Sequence, residues 1–322
     1  PGKFVFLVAF DGTNNDKDSL PQRKPPLLDT IYQTNVANLY DQAKPNEGLA
    51  FIARYYPGVG TGGEHGNWVN SSVFPTEPIR ATADRALHDF ARQARDYLKS
   101  NPGATHHDLS ATLVSFSRGA ATAMLFANKL DKEGLVLADG TQVAPPGAIS
   151  ITSNVMFDPV TRFVNDDLSL PANVRGQTLL IAARDERRSD FRLADYARDP
   201  RVMRVSLAGN HCGIGGGYDL HGTSAVALEM ATAYLQNSGI EVSDVRPELR
   251  FDPRKGIAVY SENHQIARNG DVIGNPEHPS TVWRVDTSRE RQSAPVSGPI
   301  VVPQAPPPRL HEPGPPGPET CR

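Results

Sequence analysis

The sequence is poor in cysteine, and this excludes one class of protein. Two cysteines occur among 322 residues, Cys212 in a glycine-rich stretch and Cys321 one residue from the C-terminus. Small secreted domains that depend on disulfides carry cysteine at a much higher density. A disulfide framework is therefore excluded, and both thiols are expected to be unpaired.

Long apolar runs and an excess of one charge sign are also absent. No apolar run approaches the roughly 20 residues that a membrane span needs, and the sequence, which starts Pro-Gly, shows no recognisable signal peptide. The 36 acidic and 33 basic residues give a net charge of −3, without the basic excess of a nucleic-acid-binding protein. We expect no nucleic-acid partner, and only peripheral contact with lipid.

The apolar residues that are present fall into short runs separated by amphipathic segments. The runs KFVFLVAF, AFIARYY, LSATLVSF, AISITSNVMF, QTLLIAA and RVMRVSLA predict buried strands. The segments TNVANLYDQA, PIRATADRALHDFARQARDYLKS, SRGAATAMLFANKLD and TSAVALEMATAYLQNS predict helices. Near-continuous apolar strands that alternate with helices indicate an α/β fold with a mainly parallel central sheet covered on both faces.

The composition changes along the chain and predicts three segments. Residues 1–240 carry the alternating strands and helices. Residues 241–292 hold short alternating runs such as GIAVYS and STVWRVD, which predict a small β-rich extension. Residues 293–322 contain ten of the 28 prolines, from Pro295 to Pro318, and are predicted to be an extended or disordered tail.

A serine lies at the point where a predicted strand turns into a helix, in Ser115-Phe116-Ser117-Arg118-Gly119. In the α/β-hydrolase fold the nucleophile occupies such a turn, with the pattern G-x-S-x-G. Here Ser115 replaces the first glycine, so the predicted turn is more crowded. A helix N-cap serine is the simpler alternative. As a nucleophile, Ser117 would have the backbone N–H of Arg118 directed at the oxyanion.

A nucleophilic serine needs a base and an orienting acid, which follow it in hydrolases in the order acid, then histidine. Asp158 ends the strand-like run ITSNVMF, and His211 follows the run VMRVSLA. Both are therefore expected at the carboxyl edge of the sheet, where such folds place their sites. Asp185 also follows a buried run, QTLLIAA, and is the rival acid. His106 and His107 precede the serine and fit a surface loop.

The first predicted strand runs into the loop FDGTNND. A hydrolase would use the N–H of Gly12 or Thr13 as the second oxyanion donor, and we hypothesise that Asp11 pairs with Arg118 to join the two loops. Asp11 also permits other chemistry, as a phosphotransferase nucleophile or as a metal ligand with Asn14 and Asp16. A capped turn after a strand is the structural alternative.

Three further residues are candidates for substrate contact. Trp68 and Phe74 lie in the long loop GVGTGGEHGNWVNSSVFPTEP, which resembles a lid whose apolar side chains either dip into a bilayer surface or pack on the core. His221 closes the glycine-rich stretch CGIGGGYDLHG, which fails the phosphate-binding spacing G-x-G-x-x-G.

Seven segments occur in the order seen in one group of bacterial proteins: FDGTNND, TNVANLY, YYPGVGTGG, SFSRGAA, MFDPV, ARDERRSDF and AGNHCGIGGGY. From residue 3 to about 235 the chain resembles the α/β-hydrolase domains of the type VI secretion phospholipase effectors and their relatives. The family's triad falls on Ser117, Asp158 and His211, which favours Asp158 over Asp185. The chain departs from the family pattern in Ser115, and we expect it to lack the large membrane-anchoring region of the longer effectors.

The resemblance implies a serine esterase that cleaves acyl chains from glycerophospholipids without a cofactor. It also implies an antibacterial effector, delivered to a target cell or its periplasm, with an immunity protein and a secretion-apparatus partner. Two alternatives stay open: an esterase on a small soluble or glycan-linked ester, and a catalytically silent binding module on a hydrolase scaffold.

Overall fold

The computed structural model describes residues 3–19, 32–61, 75–186, 191–217, 222–252, 259–261, 264–266, 272–274 and 291–296. Its α-helices are α1 (Asn35–Ala43), α2 (Thr76–Ser100), α3 (Gly119–Glu133), α4 (His211–Gly215) and α5 (Gly222–Asn237). Single turns of 3-10 helix lie at Lys44–Asn46, His106–Asp108 and Pro247–Leu249.

In the described part of the chain, the strands form one large sheet and three small ones. They are β1 (Phe4–Phe10), β2 (Phe51–Tyr56), β3 (Leu109–Phe116), β4 (Leu135–Val136), β5 (Gln142–Ala144), β6 (Ser150–Phe157), β7 (Thr178–Ala183), β8 (Leu193–Asp195), β9 (Val202–Leu207), β10 (Val259–Ser261), β11 (His264–Ile266), β12 (Val272–Gly274) and β13 (Ser293–Pro295). The large sheet has the order β2-β1-β3-β6-β7-β9, and every neighbouring pair in it is parallel.

The central strands of the large sheet are buried on both faces, because alternate residues of these strands pack into two separate cores. The edge strand β9, which the sequence predicted to be buried, is only partly buried. In β1, Phe6 and Val8 join the core under α2 and α3, where the Phe6 and Phe90 rings stack with centroids 4.7 Å apart. Leu7 and Ala9 join the opposite core under α1 and α5. This two-sided burial explains why these strands read as continuous apolar runs.

The predicted α/β fold with a mainly parallel sheet is confirmed. Each of the six predicted strands forms one strand of the large sheet, and the four predicted helices correspond to α1, α2, α3 and α5. The sequence did not predict α4, the hairpin β4–β5, or β8. In the described part of the chain, no helix combines the length and the apolar character that crossing a bilayer requires.

The structure describes little of the two segments predicted after residue 240. Strands β10, β11 and β12 form a small antiparallel sheet within 241–292. Strand β13 lies within 293–322 and pairs in parallel with β8. Residues 297–322, which carry most of the proline-rich sequence, lie outside the described residues, so the predicted tail stays a prediction.

Gly119 lets the start of α3 pass close to the end of β1. A Cβ at this position would lie 2.3 Å from the Phe10 carbonyl oxygen and 2.6 Å from that of Asp11. Both neighbours are backbone atoms in a packed core, so they cannot move aside without shifting the sheet. Gly119 therefore brings the helix that follows Ser117 against the Asp11 loop.

We expect Gly119→Ala to lower the free energy of unfolding by about 3 kcal/mol, at the upper end of overpacking costs. Urea unfolding followed by circular dichroism measures it. Gly48→Ala is the matched control, since a Cβ there meets nothing within 4 Å. Equal stability of the two variants would contradict the close passage.

Candidate active site

Ser117 occupies a strained turn between β3 and α3. Its φ of 56° is positive, which is uncommon for a residue other than glycine and costs about 1–3 kcal/mol. Backbone hydrogen bonds hold it there: its N–H donates to Phe157 (3.1 Å), and its carbonyl accepts from Ala120 (3.1 Å) and Val160 (3.2 Å). Strain of this kind concentrates at active sites.

Ser115 fits the turn although hydrolases of the G-x-S-x-G pattern have glycine there. Its side chain is fully buried in β3, and its hydroxyl donates to the Val155 carbonyl at 3.3 Å. The neighbouring strand β6 thus supplies an acceptor for the extra polar group, which offsets the cost of burying a hydroxyl.

Asp158 lies directly after β6, the strand next to β3, and is also strained. Its φ is 42°, and its side chain is completely buried. Its backbone N–H donates to Ile181 (2.8 Å), and its Oδ1 accepts from the Ala183 N–H (2.7 Å). Ser117 and Asp158 thus follow two adjacent parallel strands, β3 and β6. Both have a left-handed backbone conformation, so the chain turns at the same edge of the sheet in both places.

His211 is the first residue of α4, which the cap residue Asn210 starts by accepting from the Gly213 N–H at 2.8 Å. Its Nδ1 lies 2.5 Å from Oδ2 of Asp158. The ring packs against Phe116 and against the edge of Phe191, with centroids 4.6 Å and 4.8 Å away. A carboxylate and two aromatic rings therefore fix the imidazole.

This contact selects the tautomer. Because an ionised carboxylate only accepts, Nδ1 carries the proton toward Asp158, and Nε2 is the nitrogen that can accept a proton from a hydroxyl. The rival Asp185 has other partners: it accepts from the Gly209 N–H (2.8 Å) and pairs with Arg184 (3.0 Å). His106 and His107 precede β3 and so lie at the opposite edge of the sheet from Ser117.

The loop after β1 differs from the hypothesis in one contact. Asp11 is buried and accepts hydrogen bonds from the Thr34 hydroxyl (2.8 Å), the Tyr55 hydroxyl (2.6 Å) and the Gly12 N–H (2.8 Å). The predicted Asp11–Arg118 pair is wrong, because Arg118 Nε donates to the Thr13 hydroxyl at 2.8 Å. The two loops are still joined, through Thr13.

The same contacts distinguish the two oxyanion donors predicted on this loop. The Gly12 N–H is directed at its neighbour Asp11. Thr13 is half-exposed and is tied to Arg118, the residue after Ser117. The role of Gly12 or Thr13 as an oxyanion donor stays a prediction, and Thr13 is the one whose backbone N–H is not directed at Asp11 by a contact the structure gives.

Burial raises the pKa of Asp11 from 3.8 to about 6, although the Tyr55, Gly12 and Thr34 hydrogen bonds lower it. A raised carboxyl pKa stabilises the folded state below pH 4, and this stabilisation is lost as the pH rises through 6. We expect the free energy of unfolding to fall by up to about 3 kcal/mol relative to Asp11→Asn across this window. Between pH 4.5 and pH 7 the expected part of this fall is about 2 kcal/mol. Urea unfolding of both proteins at these two pH values checks it; parallel pH dependence would contradict it.

One charged residue at the site was not predicted. Arg291 donates through Nη1 to Oδ1 of Asp158 and through Nη2 to Oδ2 at 2.8 Å. Burial raises the pKa of Asp158, but the Arg291 charge and the His211 hydrogen bond outweigh it and hold the pKa below the usual value. Nothing in the run RERQSAP signals such a role, since the contact joins positions 133 residues apart.

The three predicted substrate contacts, Trp68, Phe74 and His221, lie outside the described residues and stay predictions. Within the described ranges, no three His, Cys, Asp or Glu side chains cluster so as to hold a metal ion. At Asp11, the carboxylate oxygens that the alternative would offer to a cation accept from protein donors.

Comparison with known proteins finds one matching family and several similar solved structures. Residues 5–155 match the family model described as T6SS phospholipase effector Tle1-like, catalytic domain. An uncharacterised protein from Pseudomonas aeruginosa is 20% identical with a TM-score of 0.51, over 78% of this chain and 48% of that one. The Tle1 effector bound to the VgrG spike of the type 6 secretion system is 21% identical with a TM-score of 0.49, over 69% and 53%.

The matches differ in how much of each protein they cover. No curated protein matches the chain, and the chain spans about half the length of the solved structures that it resembles. At about 20% identity, the Pseudomonas structure shows a shared fold alone. The family match covers β1, β2, β3 and α3, and therefore the turn at Ser117. Residues 5–155, slightly less than half of the chain, thus match the Tle1-like catalytic-domain family of type VI secretion phospholipase effectors.

Proposed function

We propose that this chain is a serine hydrolase that cleaves acyl esters of glycerophospholipids. The observation that supports the proposal is the hydrogen-bonded Asp158–His211 pair beside the strained Ser117 turn: Asp158 ends the strand next to β3, and the His211 ring packs on Phe116, the residue before Ser117. Ser117 does not occupy the N-cap position of α3, because Arg118 is the residue that directly precedes the helix. A capping role would also leave the Asp158–His211 pair unexplained.

In the proposed reaction, the Ser117 hydroxyl attacks the ester carbonyl while Nε2 of His211 takes its proton. Asp158 stabilises the imidazolium through Nδ1–H and keeps the ring in this tautomer. Collapse of the tetrahedral intermediate breaks the bond to the alcohol, which leaves with the proton from His211. Water then attacks the acyl-enzyme with His211 as base, releasing the fatty acid and restoring Ser117.

The oxyanion is proposed to receive hydrogen bonds from the backbone N–H groups of Arg118 and Thr13. Arg118 directly precedes α3, so the start of that helix also favours negative charge. The Arg118–Thr13 hydrogen bond fixes the two donor segments relative to each other. Asp11 acts on this hole indirectly, by holding the Gly12 N–H and with it the turn that presents Thr13.

The substrate class rests on the family. Residues 5–155 match the family model of a phospholipase effector catalytic domain. This match favours a phospholipid at a membrane surface over a small soluble ester as the substrate. Trp68 and Phe74 are the proposed lipid contacts, and His221 a proposed substrate contact.

The biological setting is proposed on the same basis. An effector of type VI secretion would be delivered to a target cell or its periplasm, and it would need a secretion-apparatus partner and an immunity protein in the producer. A bound VgrG spike is present in the structure of the Tle1 effector; for this chain such a partner is a proposal.

Lipid mass spectrometry tests the substrate. Phosphatidylethanolamine–phosphatidylglycerol vesicles are incubated with the wild-type protein and with Ser117→Ala. We expect free fatty acid and lysophospholipid from the wild type alone. Hydrolysis of a short-chain nitrophenyl ester with untouched vesicles would favour the small-ester alternative, and failure of a fluorophosphonate probe to label Ser117 would favour a silent binding module. Activity lost to a chelator would favour metal chemistry at Asp11.

A further inference from the structure

Arg291 contacts two of the residues that hold the His211 ring, Asp158 and Phe191, and also Ala183, which holds Asp158. Its guanidinium binds both carboxylate oxygens of Asp158. It also donates to the carbonyl of Ala183 at 2.8 Å and to that of Phe191 at 2.7 Å. Ala183 is the backbone donor to Asp158 Oδ1, and Phe191 packs its ring edge on His211.

A short segment far along the chain brings Arg291 to this position. Strand β13 pairs in parallel with β8, and the carbonyl of Gln292 accepts from the Leu193 N–H at 3.1 Å. The Arg291 side chain is 5% exposed, so the guanidinium is enclosed. Backbone pairing thus anchors the segment beside the site, and the arginine reaches inward from it.

Charge explains why an arginine fits here. Asp158 is completely buried, and a buried carboxylate without a partner is strongly destabilising. A histidine ring carries a positive charge only when both of its nitrogens are protonated, whereas an arginine is always charged. The paired N–H groups of the guanidinium match the two carboxylate oxygens and fix the plane of the carboxylate, which a single point charge does not do.

We propose that Arg291 is a positioning residue of the active site: it fixes the Asp158 carboxylate and the Phe191 backbone, and through them the orientation of the His211 ring. This inference rests on the proposed hydrolase function and extends it. The catalytic unit then includes residues 291–296, which lie beyond the segment 1–240 that the sequence alone predicted to be catalytic.

Three variants of the full-length protein test the inference. Arg291→Gln removes the charge and the paired donors, Arg291→Lys keeps the charge, and Arg192→Gln is the matched control, because Arg192 precedes the partner strand β8 and contacts Gln292, the neighbour of Arg291. Arg192 is exposed and donates to the Gln292 side chain, not to Asp158. The values of kcat and KM on a short-chain nitrophenyl ester are measured, with active sites counted by fluorophosphonate titration.

We expect Arg291→Gln to lower kcat about 10- to 100-fold, the size of effect that a misplaced catalytic group produces. KM should stay within about twofold, because Arg291 contacts protein groups and not the ester. Arg291→Lys should recover part of kcat, and Arg192→Gln should match the wild type. Unchanged kcat in Arg291→Gln would overturn the inference. If that variant does not fold, full kcat in Arg291→Lys would overturn it.

A spectroscopic measurement separates failure of this inference from failure of the proposed function. The proton on His211 Nδ1, shared with Asp158, gives a low-field proton NMR resonance that needs no substrate. We expect it to shift or vanish in Arg291→Gln and to stay in place in Arg192→Gln. A wild-type protein without esterase activity would refute the proposed function, while an unmoved resonance in Arg291→Gln would refute the role of Arg291.

Discussion

Replacing Ser117 by alanine is expected to lower ester hydrolysis by about four to six orders of magnitude. The substitution removes only the hydroxyl group. Without it no acyl-enzyme can form, so His211 and the oxyanion donors have no covalent intermediate to stabilise. Steady-state hydrolysis of a nitrophenyl ester and of phospholipid vesicles measures the loss. Labelling by a fluorophosphonate probe should disappear with it.

Ser115→Ala is the matched control, since it removes a hydroxyl two residues earlier on the same strand. Ser115 is buried and bonded to the Val155 carbonyl, so its loss should cost about 1 kcal/mol of unfolding free energy. Turnover should stay within a few-fold of the wild type. Loss of turnover in Ser115→Ala with retention in Ser117→Ala would reverse the assignment of the nucleophile.

Asp158→Asn is expected to lower kcat by about four orders of magnitude. An asparagine amide that donates toward His211 would favour the tautomer with its proton on Nε2, which cannot accept the proton of Ser117. The amide would also lose the charge that Arg291 pairs with. The same ester assay and a urea unfolding curve separate lost chemistry from lost stability.

Asp185→Asn is the corresponding control for the rival acid. Asp185 is buried at the end of the next strand and pairs with Arg184 and the Gly209 N–H. Its replacement should reduce stability through these contacts and leave kcat within a few-fold of the wild type. If Asp185→Asn lost turnover as severely as Asp158→Asn, the assignment of the acid would fail.

The strain at Ser117 and the strain at Asp158 have a common origin. Both residues end neighbouring strands of the large sheet, and both adopt a positive φ that directs the chain out of the sheet. Hydrogen bonds across the two turns hold them together, because the Ser117 carbonyl accepts from Val160 and its N–H donates to Phe157. The two turns therefore form one unit, which relates the geometry of the nucleophile to that of the acid.

The sequence by itself determined the architecture and the order of the site. Strands buried on both faces must be apolar throughout, so KFVFLVAF and LSATLVSF could be recognised without a structure. A parallel sheet brings the carboxyl ends of its strands to one edge, which predicted that Ser117, Asp158 and His211 would approach one another. These features depend on local composition and on the periodicity of each element.

Only the tertiary structure decided which groups touch. Asp158 and Asp185 follow equally apolar strands, and the choice between them depends on where α4 places the His211 ring. Asp11 and Arg118 have opposite charges, yet three nearby donors occupy Asp11 and a hydroxyl occupies Arg118. Arg291 reaches Asp158 through the pairing of β13 with β8. Such contacts depend on distances between residues remote in the chain, and composition and periodicity carry no information about those distances.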